Sequence, residues 1–359
     1  MRVLVAAGGS GGHIYPALAV LEELRSSGRL SAAGWVGQPN GMEARILSGY
    51  PWVKFFALPS RGLARKRPWA WPGALLQTGL GVVRAVRIVQ RFRPDVVLGM
   101  GGYPAFAPGV AAKLLGVPVA IHEQNARMGL VNRVLAPLAD LVLLSFPITC
   151  GAPRRKRGVL VTGNPVRADI VRPRRVLGDE LLVMGGSWGS RGLVDAIVRA
   201  APSLAQVPGL RLRVVVGEAA PPEEVTQRLR TAGLGQAEVI RYTDQVGEAL
   251  SRARLVVARA GATTVAELAA VGCPAVLIPW GAAADGHQHA NAHALAEAGG
   301  CVLIEDRVLV GLDLGALVSQ LWRDEAKLAA MAAGARLVGR PDAAQRVAEA
   351  LVRLTEARA

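Results

Sequence analysis

Residues 3–20 read VLVAAGGSGGHIYPALAV, and they set a pattern that returns along the chain. A short apolar run passes into a cluster of glycines, and a helical pattern starts where that cluster ends. The same arrangement recurs at Gly99–Pro104, at Gly185–Ser190 and, more weakly, at Arg259–Thr264. A buried strand that turns tightly into a helix is typical of α/β domains.

The glycine loops also suggest a ligand. Glycine permits close backbone approach, and the first N–H groups of a helix present positive potential to a phosphate. None of the four loops matches GxGxxG in register, and none carries the Gly-Lys-Ser/Thr of a Walker motif. Four such loops predict a phosphate-bearing ligand. The alternative is that they are purely structural turns between strand and helix.

Strand and helix patterns alternate over the whole length. The predicted strands are continuous apolar runs, which indicates parallel sheets buried on both faces. They lie at 3–7, 53–58, 96–100, 117–122, 141–145, 159–162, 181–185, 212–216, 237–241, 255–258, 275–279 and 302–304. We therefore predict two Rossmann-like, doubly wound α/β domains that face a cleft, at 1–163 and 164–341. A last helix at 342–359 is expected to pack back on the N-terminal domain.

Composition narrows the class of protein. Of the 359 residues, 51% are hydrophobic and 19% charged, which excludes a disordered chain. The three cysteines form no CxxC pair, so a reduced, cytoplasmic setting is expected. The net charge of +15 predicts an anionic partner, which is a nucleic acid, an acidic membrane surface or a phosphorylated substrate.

Basic residues concentrate between Arg61 and Arg93. This segment has eight positive residues and no acidic one, namely Arg61, Arg65, Lys66, Arg67, Arg84, Arg87, Arg91 and Arg93. Trp69 and Trp71 stand beside an apolar strip in the same segment. This combination predicts docking on an anionic membrane surface. The alternative is a core helix with a solvated face.

Seven motifs run in one order through nearly the whole chain. They are Gly8–Pro16, Gly99–Pro104, His122–Asn125, Gly163–Arg167, Gly185–Ser187, Gly261–Glu267 and Asp285–Asn291. In this order they resemble the MurG family of glycosyltransferases. The resemblance implies a GT-B fold and a reaction without metal or other cofactor. It implies inverting transfer of N-acetylglucosamine from UDP-N-acetylglucosamine to the 4-hydroxyl of the muramyl sugar of lipid I, the undecaprenyl-pyrophosphate-linked acceptor. The product, lipid II, serves peptidoglycan synthesis, and through it cell shape and division.

The same resemblance implies donor contacts. Glu267 would hold the ribose hydroxyls, although Thr264 and Glu267 also have the spacing of a capping box. Arg167 and Ser187 would steady the diphosphate, unless Arg167 is an ordinary surface arginine. Gln288 would read the sugar, and Thr243 would lie near the uracil. The remaining donor contacts would come from Ala262, Thr263, Thr264, Val265 and Ala266.

On the acceptor side, His13 is the candidate general base. The helix dipole at its position disfavours the imidazolium, so a neutral ring is expected. Glu123 is the other candidate base, and His13 would then only position the acceptor. Ser10, Gly11, Gly12 and Asn125 are expected to contact substrate. His287 and Trp188 stand where the family usually has glutamine, which changes one sugar contact and one loop beside the diphosphate.

Two other functions stay open. One is another two-domain transferase or epimerase acting on UDP-sugars. The other is nucleic-acid binding, which the charge alone suggests, although aromatic residues make up only 4% and do not interleave with the basic ones. We expect UDP-N-acetylglucosamine, lipid I and the anionic cytoplasmic face of the cell membrane as partners, with no nucleic acid. The chain would be a peripheral protein there.

Overall fold

A computed structural model describes residues 1–59, 71–155, 157–171, 178–186, 188–281, 283 and 286–358, without the side chains of 71–78. The chain divides into two compact units. The first unit comprises Met1–Arg167 and Asp342–Ala359, and the second comprises Ala168–Pro341. The sequence predicts a boundary at 163/164.

The first unit is built on a seven-stranded parallel sheet. Its elements are β1 (Arg2–Ala6), α1 (Gly11–Ser26), β2 (Ala32–Gly37), α2 (Met42–Leu47), β3 (Val53–Ala57), α3 (Trp71–Phe92), β4 (Val96–Gly99), α4 (Phe106–Leu114), β5 (Val119–Glu123), α5 (Leu130–Leu135), β6 (Leu141–Leu144), β7 (Val159–Val161) and, at the end of the chain, α13 (Ala343–Glu356). The strand order is β3-β2-β1-β4-β5-β6-β7. Separate apolar clusters lie on the two faces of the sheet.

The second unit repeats this plan with six parallel strands. Its elements are β8 (Glu180–Met184), α6 (Arg191–Leu204), β9 (Arg211–Val215), α7 (Pro222–Thr231), β10 (Glu238–Ile240), α8 (Val246–Arg252), β11 (Ala253–Ala258), α9 (Ala262–Val271), β12 (Ala275–Leu277), α10 (His287–Glu297), β13 (Cys301–Leu303), α11 (Leu314–Arg323) and α12 (Glu325–Val338). The strand order is β10-β9-β8-β11-β12-β13.

The strand order gives the glycine loops a common position. In each sheet the order reverses between the first strand and its neighbour, which are β1 and β4 in one unit and β8 and β11 in the other. The four glycine loops follow these four strands. In open parallel sheets, ligands bind at the carboxyl ends of the strands, at this switch point. Each unit therefore brings two glycine loops to its own switch point.

The apolar runs do not predict β2, so the expected set of strands was wrong at this point. The sequence of β2, AAGWVG, is too poor in branched apolar residues to stand out as a buried strand. The structure shows why small residues are needed there. A Cβ at Gly34 would lie 2.8 Å from a methyl carbon of Leu4 and 3.0 Å from the ring of Phe92. Tertiary packing, which a local pattern does not report, decides this strand.

The last helix, α13, completes the first unit. Val347 and Leu351 are fully buried and join the apolar cluster that also holds Leu18 and Leu21 of α1. Arg358, just beyond α13, donates a 2.6 Å hydrogen bond to Asp140. Within the described residues, no helix combines the length and the apolar character that crossing a bilayer requires.

Candidate active site

His13 lies in the first turn of α1, where the first glycine loop ends. Its Nδ1 lies 3.1 Å from the carbonyl oxygen of Gly8. Because a carbonyl oxygen only accepts hydrogen bonds, Nδ1 carries the proton and donates it to this bond. In a neutral imidazole, Nε2 is then the nitrogen that can take up a proton. The local backbone thus gives His13 the tautomer of a base acting through Nε2.

The glycine loop after β4 approaches the ring closely. Gly102 has a φ of +71°, and a Cβ there would lie 3.0 Å from the carbonyl oxygen of Gly8. A Cβ at Gly101 would lie 3.6 Å from Nε2 of His13. Only glycine fits this close, left-handed backbone without strain. The two loops at the first switch point therefore meet at His13.

Glu123, at the end of β5, is buried within a set of N–H donors. Its Oε1 accepts from the backbone N–H and the side-chain amide of Asn125, at 3.0 and 3.1 Å. Its Oε2 accepts from the N–H of Gly129 at 3.0 Å and from the amide of Asn132 at 2.9 Å. Both carboxylate oxygens therefore hold the loop that follows β5. Asn125, the predicted substrate contact, is half-buried and belongs to the same set.

His122 is fully buried next to Glu123. Its Nε2 lies 3.1 Å from the carbonyl oxygen of Gly163, and the amide nitrogen of Gln124 lies 3.1 Å from its Nδ1. Nε2 therefore donates and Nδ1 accepts, which is a neutral ring. Burial lowers the pKa of His122 from 6.5 to about 4. The hydrogen bond to Gly163 and the charge of Glu123 act in the opposite direction, but their effect is smaller.

We expect this histidine to make the protein less stable in mild acid. Between pH 6.5 and about 4 the unfolded chain binds a proton on His122 that the folded chain does not bind. Stability therefore falls as the pH drops through this window, with a maximal slope of about 1.4 kcal/mol per pH unit. Thermal midpoints measured from pH 7.5 to 4.5 should fall less steeply for His122→Gln than for the wild type. The exposed His293 provides the control, since His293→Gln should keep the wild-type slope. Equal slopes for all three proteins would contradict the prediction.

Arg167 is the last residue of the first unit. Its guanidinium carbon lies 4.5 Å from the centre of the Tyr15 ring, over its face. Tyr15 follows His13 by two residues on α1. Arg167, the predicted contact for the diphosphate, is therefore held by a cation–π interaction against the same helix that carries the candidate base.

In the second unit, α9 begins at Ala262, and Gly261 precedes it without a side-chain cap. Thr264 is thus already inside the helix and cannot be its N-cap. This overturns the capping-box alternative for Thr264 and Glu267. Glu267 lies in the second turn and is buried. Ser10 likewise precedes α1 without a side-chain cap bond. Helix starts without a cap are suited to an anionic oxygen.

Arg259 joins the two glycine loops of the second unit. It is buried, and its Nε donates to Oγ of Ser190 at 2.9 Å. Its Nη1 donates to Asp306 at 2.6 Å and to the carbonyl oxygen of Ile278 at 3.1 Å. Ser190 in turn caps α6 by accepting from the N–H of Leu193. One guanidinium therefore ties the loop after β8 to the loop after β11 across the switch point.

Hydrogen bonds connect the ion pair of Arg259 and Asp306 to the loop that precedes α10. Burial acts to raise the pKa of Asp306, but the hydrogen bonds from Arg259 and the Gly281 N–H outweigh it and hold this pKa below its usual value. The Gly281 N–H lies 3.1 Å from Oδ2 of Asp306. In the adjacent residue, the N–H of Trp280 donates to Oε1 of Gln288 at 2.9 Å. The amide oxygen of Gln288 therefore holds the backbone at Trp280.

The other predicted site residues are more scattered. Thr243 follows β10, at the edge of the second sheet, where its Oγ1 accepts from the N–H of Gln245 at 3.1 Å. Trp188 is 63% exposed, and His287 is the first residue of α10. Ser187 and Asp285 lie outside the described residues, as do Arg61, Arg65, Lys66, Arg67 and Trp69 of the basic segment.

Comparison with known proteins identifies the family. Residues 3–144 match the glycosyltransferase family 28 N-terminal domain, and residues 180–347 match the C-terminal domain of that family. The chain is 44% identical over 361 residues to the UDP-N-acetylglucosamine--N-acetylmuramyl-(pentapeptide) pyrophosphoryl-undecaprenol N-acetylglucosamine transferase of Nitratidesulfovibrio vulgaris, with 98% of this chain and 97% of that protein covered. The chain belongs to the MurG family of N-acetylglucosaminyltransferases. The enzyme of the same name from Methylococcus capsulatus is 41% identical, with 97% of both chains covered.

Solved structures agree with this assignment. The MurG of Acinetobacter baumannii superposes with a TM-score of 0.76 and 32% identity, covering 98% of this chain and 99% of that one. A UDP-GlcNAc 2-epimerase from Neisseria meningitidis reaches a TM-score of 0.66, with 98% of this chain and 100% of that one covered, but only 16% identity. It shares the fold alone. The predicted fold class, two Rossmann-like domains of the GT-B type, is confirmed, as is the predicted MurG family.

Sequence reasoning missed the connections that hold the site together. Arg259 begins the fourth glycine loop, but its partner Asp306 lies 47 residues further along, and no local pattern links them. Glu43, whose buried carboxylate packs against the first glycine loop, also went unnoticed. Its signal in the sequence is only an acidic residue soon after Gly41.

Proposed function

We propose that the chain transfers N-acetylglucosamine from UDP-N-acetylglucosamine to the 4-hydroxyl of the muramyl sugar of lipid I, with inversion, and so makes lipid II. The observation that carries this proposal is the identity of 41–44% over nearly the whole chain to enzymes named for this transfer. The epimerase alternative has only a fold likeness at 16% identity in its favour.

His13 is the general base in this proposal. Its Nε2 takes the proton of the acceptor hydroxyl while the hydroxyl oxygen bonds to the anomeric carbon of the donor. The bond between that carbon and the diphosphate oxygen breaks, and UDP leaves with the electron pair. The Nδ1 contact with Gly8 supports the assignment, because it leaves Nε2 as the basic nitrogen. Ser10, Gly11 and Gly12 form the substrate-binding start of the same helix.

Glu123 has an orienting role in this scheme. Both of its oxygens accept hydrogen bonds from N–H groups, and these bonds hold the loop that follows β5. Through these bonds it fixes Asn125, which contacts the acceptor.

The second unit holds the donor. The carboxylate of Glu267 accepts hydrogen bonds from the two ribose hydroxyls, and the NH₂ group of Gln288 donates to the sugar. Thr243 lies beside the uracil. Arg167 and Ser187 stabilise the diphosphate as it gains charge, together with the start of α9. That start consists of Ala262, Thr263, Thr264, Val265 and Ala266.

An anionic membrane surface at the cytoplasmic face is the proposed docking partner. The exposed face of α3 supports this docking proposal, because its apolar residues Leu80 and Val83 are 52% and 53% exposed. The exposed side chains of Arg84, Arg87 and Arg91 follow on the same helix. Each cation near an anionic surface contributes about 1 kcal/mol. A protein docked in this way reaches its lipid-linked acceptor, whose use would serve cell-wall growth, cell shape and division.

The test is a transfer assay with purified protein. We expect UDP release, with N-acetylglucosamine joined to lipid I, only when UDP-N-acetylglucosamine and lipid I are both supplied. Conversion of the donor to an epimer without any acceptor would overturn the proposal in favour of the epimerase. Retention on oligonucleotides in moderate salt, without affinity for UDP, would overturn it in favour of nucleic-acid binding.

A further inference from the structure

One fully buried carboxylate has no part in the scheme above. Glu43 lies in the first turn of α2. Its Oε1 accepts from the N–H of Gln38 at 2.7 Å, and its Oε2 accepts from the N–H of Gly9 at 3.4 Å. Both carboxylate oxygens of Glu43 therefore accept hydrogen bonds from backbone N–H groups, and one of these groups belongs to the first glycine loop.

Three residues packed against the Glu43 side chain are glycines, and a larger residue at any of them would clash with it. A Cβ at Gly8 would lie 2.3 Å from Oε1 of Glu43, and one at Gly41 would lie 2.5 Å from its carboxyl carbon. A Cβ at Gly37 would lie 2.6 Å from its Cγ. Gly8 follows β1, Gly37 is the last residue of β2, and Gly41 directly precedes α2. The cavity between them matches a single glutamate side chain.

The two contacts of the loop converge on one peptide group. The N–H of Gly9, which donates to Glu43, and the carbonyl of Gly8, which accepts from Nδ1 of His13, belong to the same amide. A carboxylate on the N–H side of an amide increases the negative charge on its oxygen, since hydrogen bonds in a chain polarise one another. We propose that Glu43 is a positioning residue for the transfer reaction, which acts on His13 through the Gly8–Gly9 peptide group.

This action is specific to the step in which His13 takes a proton. The start of α1 disfavours a positive ring, and the charge of Glu43 offsets that effect as the imidazolium forms. The stronger bond to Gly8 also holds the ring with Nε2 toward the acceptor. The proton on Nδ1 stays there, and Glu43 takes up no proton.

Other charged groups also surround this ring. Glu123 accepts a hydrogen bond from the side-chain amide of Asn132. The nitrogen of this amide lies 3.3 Å from a Cβ placed at Gly101. Arg167 stacks on Tyr15 of the same helix. Both residues are retained in the Glu43 variants, so their charges are common to all the proteins compared.

The test compares Glu43→Gln with the wild type in the lipid I transfer assay over a range of pH. Because the proposal rests on the base role of His13, we expect kcat to fall about 10- to 100-fold. The KM for the donor should stay within about twofold. The acidic limb of the kcat/KM profile should move to lower pH by about 0.5 unit, because a neutral side chain no longer favours the protonated ring.

Two further variants make the result decisive. Glu23→Gln removes one charge from α1 three turns away from the loop, and it should keep the wild-type profile. Glu43→Asp keeps the charge and should return the acidic limb toward its wild-type position, even if its thermal midpoint is lowered. A Glu43→Gln protein with a lower thermal midpoint but an unchanged acidic limb and kcat would overturn the proposal, as would a Glu43→Asp protein that matches Glu43→Gln.

If His13→Ala keeps normal turnover, the base assignment itself fails. If His13→Ala is inactive while Glu43→Gln keeps the wild-type limb, only the role of Glu43 fails.

Discussion

The His13→Ala variant is expected to lose about 10²- to 10⁴-fold in kcat, the usual contribution of a general base. The reason is the direction of its ring. Nδ1 donates to Gly8, so Nε2 is the nitrogen that accepts the hydroxyl proton. The donor KM should change by less than about threefold, because His13 belongs to the first unit and the proposed donor contacts lie mostly in the second. Steady-state transfer assays at saturating lipid I measure both quantities.

A second substitution separates proton transfer from positioning. His13→Gln keeps a hydrogen-bonding side chain at the start of α1 but has no group that can take up a proton near neutral pH. It should be as slow as His13→Ala. If His13→Gln instead restored most of the turnover, His13 would only position the acceptor, which is the alternative left open by the sequence.

The Arg259→Ala variant is expected to lose about 2–3 kcal/mol of stability, because it removes a buried guanidinium and its charge-assisted hydrogen bonds, while the partner Asp306 is 27% exposed. Without the guanidinium, Asp306 loses its charged partner and, among the described residues, keeps its backbone contact with Gly281. The carbonyl of Ile278 and the hydroxyl of Ser190 each lose a donor. The loops after β8 and β11 then lose their common tie. Urea denaturation followed by circular dichroism measures the loss.

An exposed arginine on the same unit is the matched control. Arg252 pairs with Glu248 one turn away on α8, where both side chains are nearly half exposed. Arg252→Ala should cost less than about 1 kcal/mol, since surface pairs contribute little. If Arg259→Ala costs no more than Arg252→Ala, the link between the two loops carries no significant stability.

Local patterns in the sequence were sufficient to predict the main architecture. The apolar runs and glycine turns located twelve of the thirteen strands found in the described residues, because strands buried on both faces leave continuous apolar sequence. β2 was not predicted, because its small residues are required by packing against Leu4 and Phe92, which lie far away in the chain. The capping box of Thr264 and Glu267 failed for a different reason. Its spacing was correct, but the helix begins before Thr264.

As with the fold, some features of the candidate site follow from the sequence and others only from the tertiary structure. The sequence by itself determined the fold class, the four glycine loops and His13 at the start of a helix, since each depends on neighbours within a few residues. Only the tertiary structure decided that the loops meet in pairs at the two switch points, because strand order is a long-range property. It also decided the tautomer of His13, the contacts of Glu43 and the pairing of Arg259 with Asp306. Each of these depends on a hydrogen bond whose direction and distance come from the folded backbone.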